Sequence, residues 1–165
     1  MTKLIKKIGS VAIALAAATM TAKAAAQTSS VDANRTTVAK AMDAWAAGTG
    51  GPYDLLAEDA VWTISGNSLA SKTYSSKEAF MSEVIRPFNA RMQTRLIPSV
   101  HALYAEGDTV VAHFDARGTA RDGKPYANSY AWILTLKDGR IVRAFAFFDS
   151  HEFDDFWTRI QPATN

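Results

Sequence analysis

Three glycine-containing turns in the C-terminal half of the chain constrain its fold more than any other feature of the sequence. The turns Glu106-Gly107-Asp108, Asp122-Gly123 and Asp138-Gly139 separate runs rich in β-branched and aromatic residues, which is the pattern of successive β-hairpins. The sequence therefore predicts an antiparallel meander. Its four strands are expected at about 95–104, 109–117, 125–137 and 140–149.

Helical patterns precede and follow this meander. Apolar residues at helical spacing predict a first helix that ends before Gly48, and a short strand is expected at 60–64. Ser75 and Glu78 have the spacing of a capping box and predict a second helix, which Pro87 is expected to end near Arg86. A last helix is expected with Ser150 as its N-cap. Helices on both sides of a long meander predict an α+β fold, in which they cover one face of a curved sheet and enclose a pocket.

The N-terminal residues have the three-part pattern of an export signal. A basic start with three lysines is followed by an uncharged apolar run at 8–20, which is too short for a stable membrane anchor. Small residues up to Ala26 then form a cleavage site. We therefore expect a signal peptide at 1–26, a mature domain at 27–165, and a periplasmic or secreted location.

The charge balance of the mature domain differs from that of the whole chain. The chain has 18 basic and 16 acidic residues, a formal net charge of +2. Four of the lysines lie in the predicted signal peptide, which leaves 14 basic and 16 acidic residues. No basic cluster remains that would favour nucleic-acid binding. The chain contains no cysteine, which excludes disulfides, thiolate metal sites and cysteine nucleophiles.

Side-chain alternation assigns the meander residues to two sheet faces. On the second meander strand His113 and Asp115 share a face with Val111, and on the last strand Asp149 shares a face with Phe147. We expect this face to line the pocket, because it carries the acids. The opposite face is also apolar, and we expect it to form the interface of a homodimer. Its residues are Ala112, Phe114, Ala146 and Phe148.

Three segments carry a family resemblance. They are Leu-Leu-Ala-Glu-Asp-Ala-Val-Trp at 55–62, Asp-Gly-Lys-Pro-Tyr at 122–126, and Asp-Gly-Arg-Ile at 138–141 before Phe-Phe-Asp at 147–149. Together they resemble the NTF2-like superfamily, specifically its SnoaL-like and ketosteroid-isomerase-related branch, over about 31–160. The resemblance implies a cone in which N-terminal helices and a C-terminal helix wrap a curved antiparallel sheet around a pocket. It does not imply one reaction, because the fold hosts isomerases, cyclases, dehydratases, epoxide hydrolases and binding modules.

Two enzyme types of this superfamily can be compared with the chain residue by residue. Members similar to limonene epoxide hydrolase place an Arg-x-Asp pair on a meander strand and a second aspartate at the end of the last strand. His113, Asp115 and Asp149 resemble these positions, with histidine in place of arginine. Ketosteroid isomerases carry a general-base aspartate just after the first strand, where this chain reads Trp-Thr-Ile-Ser-Gly at 62–66. The resemblance therefore does not imply steroid isomerisation.

These comparisons define a candidate site. Asp149 is assigned as the base, His113 as an orienting or relay group, and Asp115 as a general acid whose pKa would be raised by apolar neighbours. The expected ligand-binding residues are Asn128, Tyr130, Trp132, Phe147, Val111 and Trp62. Structural alternatives stay open: Asp149 could cap the last helix, Asp115 could pair with an arginine, and His113 could be a hydrogen-bonded structural residue.

Two functional classes remain for a protein that binds a small, largely apolar molecule. One is an enzyme that transfers protons without a cofactor, as an isomerase, cyclase, dehydratase or hydrolase. The other is a non-catalytic periplasmic binding or stress-related module with the same pocket. We expect no cofactor, and no metal because the histidines lack the spacing of a metal site. Shifted carboxyl pKa values would favour the enzyme.

Overall fold

The computed structural model describes Thr28 and residues 30–161. The predicted signal peptide lies outside the described residues. The helices are α1 (30–47), α2 (Lys77–Phe80), α3 (Arg86–Arg91) and α4 (Ser150–Arg159), with a 3₁₀ turn at Pro52–Leu55 and a π-helical segment at Met81–Ile85. The strands are β1 (Leu56–Ile64), β2 (Thr73–Tyr74), β3 (Ile97–Glu106), β4 (Thr109–Thr119), β5 (Pro125–Lys137) and β6 (Arg140–Phe148). No helix of this part of the chain is both long and apolar enough to cross a bilayer.

The six strands form one sheet in the order β2-β1-β6-β5-β4-β3. The predicted meander is confirmed, because β3 to β6 pair antiparallel in sequence order. At the β5–β6 turn Asp138 has φ 51° and Gly139 has φ 74°, the positive values that a tight two-residue hairpin requires. The predicted antiparallel sheet has one parallel pair, since β1 pairs in parallel with β6. No hairpin joins these two strands, so turn geometry does not dictate their direction.

The helix after β2 differs from its prediction at both ends. Ser76, and not Ser75, is its N-cap, and the Ser76 hydroxyl accepts a hydrogen bond from the Ala79 amide at 3.1 Å. The sequence also indicated an end before Pro87, but the chain remains helical to Arg91. The π-helical segment ends at Ile85, two residues before Pro87. Such a local widening of the helix accommodates the missing amide donor without a break.

The helices cover one face of the sheet, which we call the inner face. On β4 this face presents Val110, Ala112, Phe114 and Ala116, each 0% exposed. The cross-strand register places Trp132 opposite Ala112 and Ala146 opposite Trp132, so inner-face residues of three neighbouring strands form one core. The expected dimer face is therefore wrong. Ala112, Phe114 and Ala146 are buried beneath the chain's own helices, and Phe148 packs against the same core.

The opposite face, which we call the outer face, is uncovered in the single chain. One row across it joins Tyr104, Val111, Ile133 and Phe145 by backbone register. Tyr104 is 65% exposed and Phe145 38%, and Phe147 in the next row is 44% exposed. Both faces of the sheet are thus apolar, but only the inner face belongs to the core.

Candidate functional site

A cavity of about 500 Å³ lies between the inner face and the helices. The sheet contributes its floor from β1, β5 and β6, and the α2–α3 region and the 3₁₀ turn form its sides. Its principal aromatic walls are Trp45, Tyr53, Trp62, Phe80, Phe88, Tyr130, Trp132, Phe148 and Phe153. This volume and lining are typical of a pocket for a small, largely apolar molecule.

Part of the cavity wall is a set of closely packed aromatic rings. The rings of Trp45 and Trp132 stack with centroids 5.8 Å apart, and Trp62 stands edge-on to Trp132 at 5.1 Å. Trp62 also stacks on Phe80 at 4.4 Å. Tyr53 lies about equally far from all four rings, at 5.8 to 6.1 Å. Such mutual packing fixes ring orientation, so the cavity presents flat, preorganised walls.

One donor in these walls has no partner. The Trp62 side chain is 1% exposed, and its Nε1 makes no hydrogen bond within the described part of the chain. An indole N–H buried without an acceptor is uncommon, because it loses its bond to water and gains nothing in return. Trp62 is one of the residues that line the cavity.

A second polar feature is a hydrogen-bonded pair of tyrosines. The hydroxyls of Tyr126 and Tyr130 lie 3.0 Å apart, and Asn128 Nδ2 donates to the Tyr126 oxygen at 3.2 Å. Burial raises the pKa of Tyr126 to about 12 and that of Tyr130 well above its ordinary value. Both hydroxyls therefore keep their protons at neutral pH. Tyr130 lines the cavity and Tyr126 stands behind it.

Asn128 itself is fastened to the backbone and does not line the cavity. Besides its bond to Tyr126, its Nδ2 donates to the Asp149 carbonyl at 3.0 Å, and its Oδ1 accepts from the Asp149 amide at 2.9 Å. The side-chain amide thus ties β5 to the point where β6 ends and α4 begins. Its position makes it a support for the tyrosine pair.

The charged lining of the cavity is confined to its rim. Asp54 and Arg95 are the charged members of the lining set, and both are exposed. Asp54 Oδ2 accepts a hydrogen bond from the Gly51 amide at 2.8 Å. Arg95 Nη1 donates to the Trp45 carbonyl at 2.8 Å. The interior offers uncharged groups, so a ligand's charge would have to lie at the rim.

The predicted acid–histidine group lies on the outer face, and its expected position in the pocket is wrong. The register pairs His113 with Ala131, and Asp115 with Ser129, whereas Tyr130 is opposite Phe114. His113 and Asp115 therefore point away from Tyr130 and Trp132. The same correction applies to Val111 and Phe147, since neither lines the cavity. The sequence could not reveal which of two apolar faces the helices would cover.

Asp115 is held by neighbours on the outer face. Ser129 Oγ donates to Asp115 Oδ1 at 2.7 Å, and His101 Nε2 lies 3.0 Å from Oδ2. These two contacts lower the pKa of Asp115, with the serine bond as the larger cause. This is opposite to the raised pKa expected of a general acid. The His113 ring packs beside His101, with centroids 5.0 Å apart.

Asp149 acts as the N-cap of α4. Its Oδ1 accepts from the His151 amide at 2.9 Å and from the Glu152 amide at 3.3 Å. Ser150, the predicted cap, is the first residue inside the helix. Capping accounts for the carboxylate at this position, and Asp149 is not among the residues that line the cavity. Within the described residues no group of histidine, aspartate and glutamate side chains is arranged to hold a metal ion.

Sequence reasoning placed Trp62, Tyr130 and Trp132 among the ligand-binding residues, and all three line the cavity. It missed Tyr126, Tyr53 and Arg95. Tyr126 and Tyr130 are four residues apart on one strand, so alternation alone puts them on the same face. Tyr53 and Arg95 lie in a turn and a connection, where no periodic pattern indicates the direction of a side chain.

Comparisons with known proteins agree with this architecture. An NTF2-like protein from Burkholderia thailandensis is 23% identical, with 78% of this chain and 98% of that chain covered and a TM-score of 0.62. A second similar structure is that of IdmH from Streptomyces antibioticus, a proposed polyketide cyclase. It is 21% identical, with 74% of this chain and 96% of that chain covered and a TM-score of 0.58. A proposed isomerase from Bacillus subtilis is 21% identical over 79% and 94%, with a TM-score of 0.55. At these identities the likeness is one of fold.

No curated protein matches the chain in sequence. The family model of the SnoaL-like domain, by contrast, matches residues 38–144, which include most of α1 and the strands up to the middle of β6. This match and the cone of helices over a curved sheet lead to the same assignment: the chain belongs to the SnoaL-like family of NTF2-like proteins.

Proposed function

We propose that the protein binds a small, planar, largely apolar molecule whose carbonyl or other acceptor group reaches Trp62 and Tyr130. The observation that carries the proposal is the buried Nε1 of Trp62, which has no partner in the described part of the chain and belongs to a residue that lines the aromatic cavity. A ligand oxygen there would satisfy a donor that is otherwise buried at a cost. Flat aromatic walls favour a flat ligand, since stacking adds to the burial of apolar area.

The tyrosine pair supports the same orientation of the ligand. The Tyr126 oxygen already accepts from Asn128, so Tyr126 can use its own proton to donate to Tyr130. The Tyr130 proton is then left for an acceptor in the cavity. A donor that is itself polarised by a neighbouring hydrogen bond binds an oxygen more strongly.

A binding test follows from the position of the tryptophans. Trp45, Trp62 and Trp132 line the cavity, so we expect an aromatic ketone such as 2-tetralone to quench the intrinsic fluorescence in a saturable way. Tyr130→Phe should weaken this binding about 5- to 10-fold, the value of one hydrogen bond. Tyr104→Phe, on the outer face, removes a hydroxyl far from the cavity and should leave affinity unchanged. Equal affinity in Tyr130→Phe and wild type would contradict the proposed orientation.

A second candidate function is proton transfer on the bound ketone. The tyrosine pair favours it, because a donor aimed at a carbonyl also stabilises the negative oxygen of an enolate. Relatives of this fold that are described as a polyketide cyclase and an isomerase are consistent with it. Asp54 is the carboxylate within the lining set and is therefore the candidate base.

The two functions are separated by isotope exchange. If the site catalyses enolisation, protein at a concentration that binds all of the ketone should accelerate exchange of the acidic CH₂ protons of 2-tetralone in D₂O. NMR measures the rate of this exchange. Asp54→Asn should then remove the acceleration and keep the fluorescence quench. Saturable binding without any acceleration would leave the binding module as the function.

We also propose that the outer face, rather than the inner one, forms a homodimer. Its apolar row, in which Tyr104 and Phe145 are exposed, makes with the exposed Phe147 a patch of the kind that single soluble chains rarely leave in water. Residues of one face can meet their own copies across a two-fold axis. No charged side chain lies within the row formed by Tyr104, Val111, Ile133 and Phe145, so two copies can approach there without desolvating a charge.

Light scattering tests this proposal. We expect about twice the mass of one chain for the wild type at micromolar concentration. Phe147→Glu should weaken self-association at least about 10-fold, because it brings two like charges into a desolvated contact. Leu69→Glu is the matched control, since Leu69 is 63% exposed outside the sheet. A wild-type protein that scatters as a single chain would overturn the proposal.

A further inference from the structure

Arg95 is a fixed cation at the rim of the cavity. It lies between α3 and β3, is exposed, and belongs to the lining set. Its Nη1 donates at 2.8 Å to the carbonyl of Trp45, whose ring forms part of the cavity wall. The guanidinium is thus held where the aromatic interior opens to solvent.

The backbone on both sides of the guanidinium is shaped to receive it. A β-carbon added at Gly48 would lie 3.0 Å from Arg95 Cζ and 3.1 Å from Nη1, and Gly48 has φ +77°. Glycine ends α1 in this conformation without strain and leaves room for the arginine side chain. The two preceding residues are fastened as well, because the Gln93 and Thr94 amides donate to the Thr119 carbonyl at 2.8 and 3.1 Å. The hydrogen bond to Trp45 and the space left by Gly48 therefore favour this position of the Arg95 side chain at the rim.

The charge of Arg95 has no partner in the described part of the chain. No carboxylate of those residues lies within 4.0 Å of its guanidinium. A cation near the end of α1 is favourable there, but the bond to Trp45 uses one N–H of a group that has five. The remaining N–H groups form the fork that recognises a carboxylate with two parallel bonds. Asp54, the other rim charge, already accepts from the Gly51 amide.

We infer that the ligand is an organic acid: a planar apolar body with an acceptor at its inner end and a carboxylate at its outer end, bound by Arg95. The inference rests on the proposed function, since it describes the other end of the same molecule. The uncharged interior excludes a deeply placed anion, because an ion without a partner is costly away from water. An anion at the rim keeps part of its hydration and can accept hydrogen bonds from the positively charged Arg95.

Two isosteric probes test the charge requirement. They are 6-acetyl-2-naphthoate and its primary amide, 6-acetyl-2-naphthamide, which share the aromatic body and the acetyl acceptor and differ in charge. We expect the wild type to bind the acid at least about 10-fold more tightly than the amide in the fluorescence assay, with a preference that falls as salt is added. Arg95→Gln retains a donor for the Trp45 carbonyl and should abolish the preference, because it weakens binding of the acid much more than binding of the amide.

Controls make failure of this inference distinct from failure of the proposed function. Arg117→Gln removes an exposed arginine from the outer face and should keep the preference, and thermal melts report whether each variant is folded. Tyr130→Phe should weaken the acid and the amide equally. If neither probe binds the wild type, the proposed function fails. If both bind equally, or if the preference survives in folded Arg95→Gln, the assignment of Arg95 is wrong and the cavity proposal stands.

Discussion

Replacement of Asn128 by alanine is expected to lower the free energy of unfolding by about 3 kcal/mol, because several buried or half-buried polar groups lose their partner at once. Asn128 is 7% exposed. Its amide satisfies the Asp149 amide and carbonyl and the Tyr126 hydroxyl. Chemical denaturation with urea would measure the loss.

The adjacent residue supplies a matched control for this variant. Ser129 is on the same strand but on the outer face, where its hydroxyl donates to the exposed Asp115 carboxylate. Ser129→Ala should therefore change the free energy of unfolding by no more than about 0.5 kcal/mol. A loss below about 1 kcal/mol in Asn128→Ala would show that water replaces the amide, and that Asn128 does not fasten α4 to the sheet.

Replacement of Arg91 by alanine is expected to cost a similar amount, about 3 kcal/mol, because a buried cation and all its contacts are removed. Arg91 is 8% exposed. Its Nε donates to the Trp157 carbonyl at 3.1 Å and its Nη1 to the Pro87 carbonyl at 3.0 Å. The guanidinium also lies 4.1 Å from the centre of the Trp157 ring. Burial lowers the pKa of this guanidinium, but an arginine stays charged at any ordinary pH.

Arg121 provides the comparison for Arg91. Its Nε also donates to a backbone carbonyl, that of Ala90, at 2.7 Å, but its side chain is exposed. Arg121→Ala should change the free energy of unfolding by at most about 0.5 kcal/mol. If the two alanine variants unfold at the same urea concentration, the contacts between Arg91 and the last turn of α4 do not stabilise the fold.

Asn128 and Arg91 hold the two ends of α4. Asn128 binds the backbone just before the helix begins, and Arg91 binds a carbonyl of its last turn. Phe153, from the middle of α4, closes one side of the cavity. The pocket therefore depends on polar anchors that would not contact a ligand, and ligand binding in these variants should fail together with the position of α4.

Much of the fold follows from local sequence signals. The three glycine turns determine the meander, because positive φ values and short loops leave adjacent strands no other pairing. Helical spacing identifies α1 and α4, since their buried positions recur with the helix period. The sequence locates the helix boundaries less sharply. Asp149 caps α4 in place of the predicted Ser150, and Ser76 caps α2 in place of the predicted Ser75. Each cap is thus one residue away from its prediction. Ser, Asp and Asn all favour the cap position, so two adjacent residues can each be a candidate. Which of them caps the helix depends on the direction in which the chain enters it.

The candidate site was predictable only in part. Trp62, Tyr130 and Trp132 are large aromatic residues on strands, and such residues belong to the core more often than to a solvent face. Asp115 and His113 are polar, titratable residues on an otherwise apolar strand, which favoured a catalytic interpretation. The pairing of Asp115 with Ser129 and His101 required the β4–β5 register and the extra residue between Val100 and Ala102 in β3. A bulge redirects side chains in a way that strand alternation does not anticipate.

By itself the sequence determined the family, the order of helices and strands, and the separation of each strand's side chains into two sets, because these depend on local conformation with a period of two or 3.6 residues. Only the tertiary structure decided which set became the wall of the cavity. Both sets are apolar, so burial energy alone favours neither. The choice depends on the face over which the helices pack, and that contact joins residues far apart in the chain, such as Trp45 with Trp132 and Arg95 with Trp45.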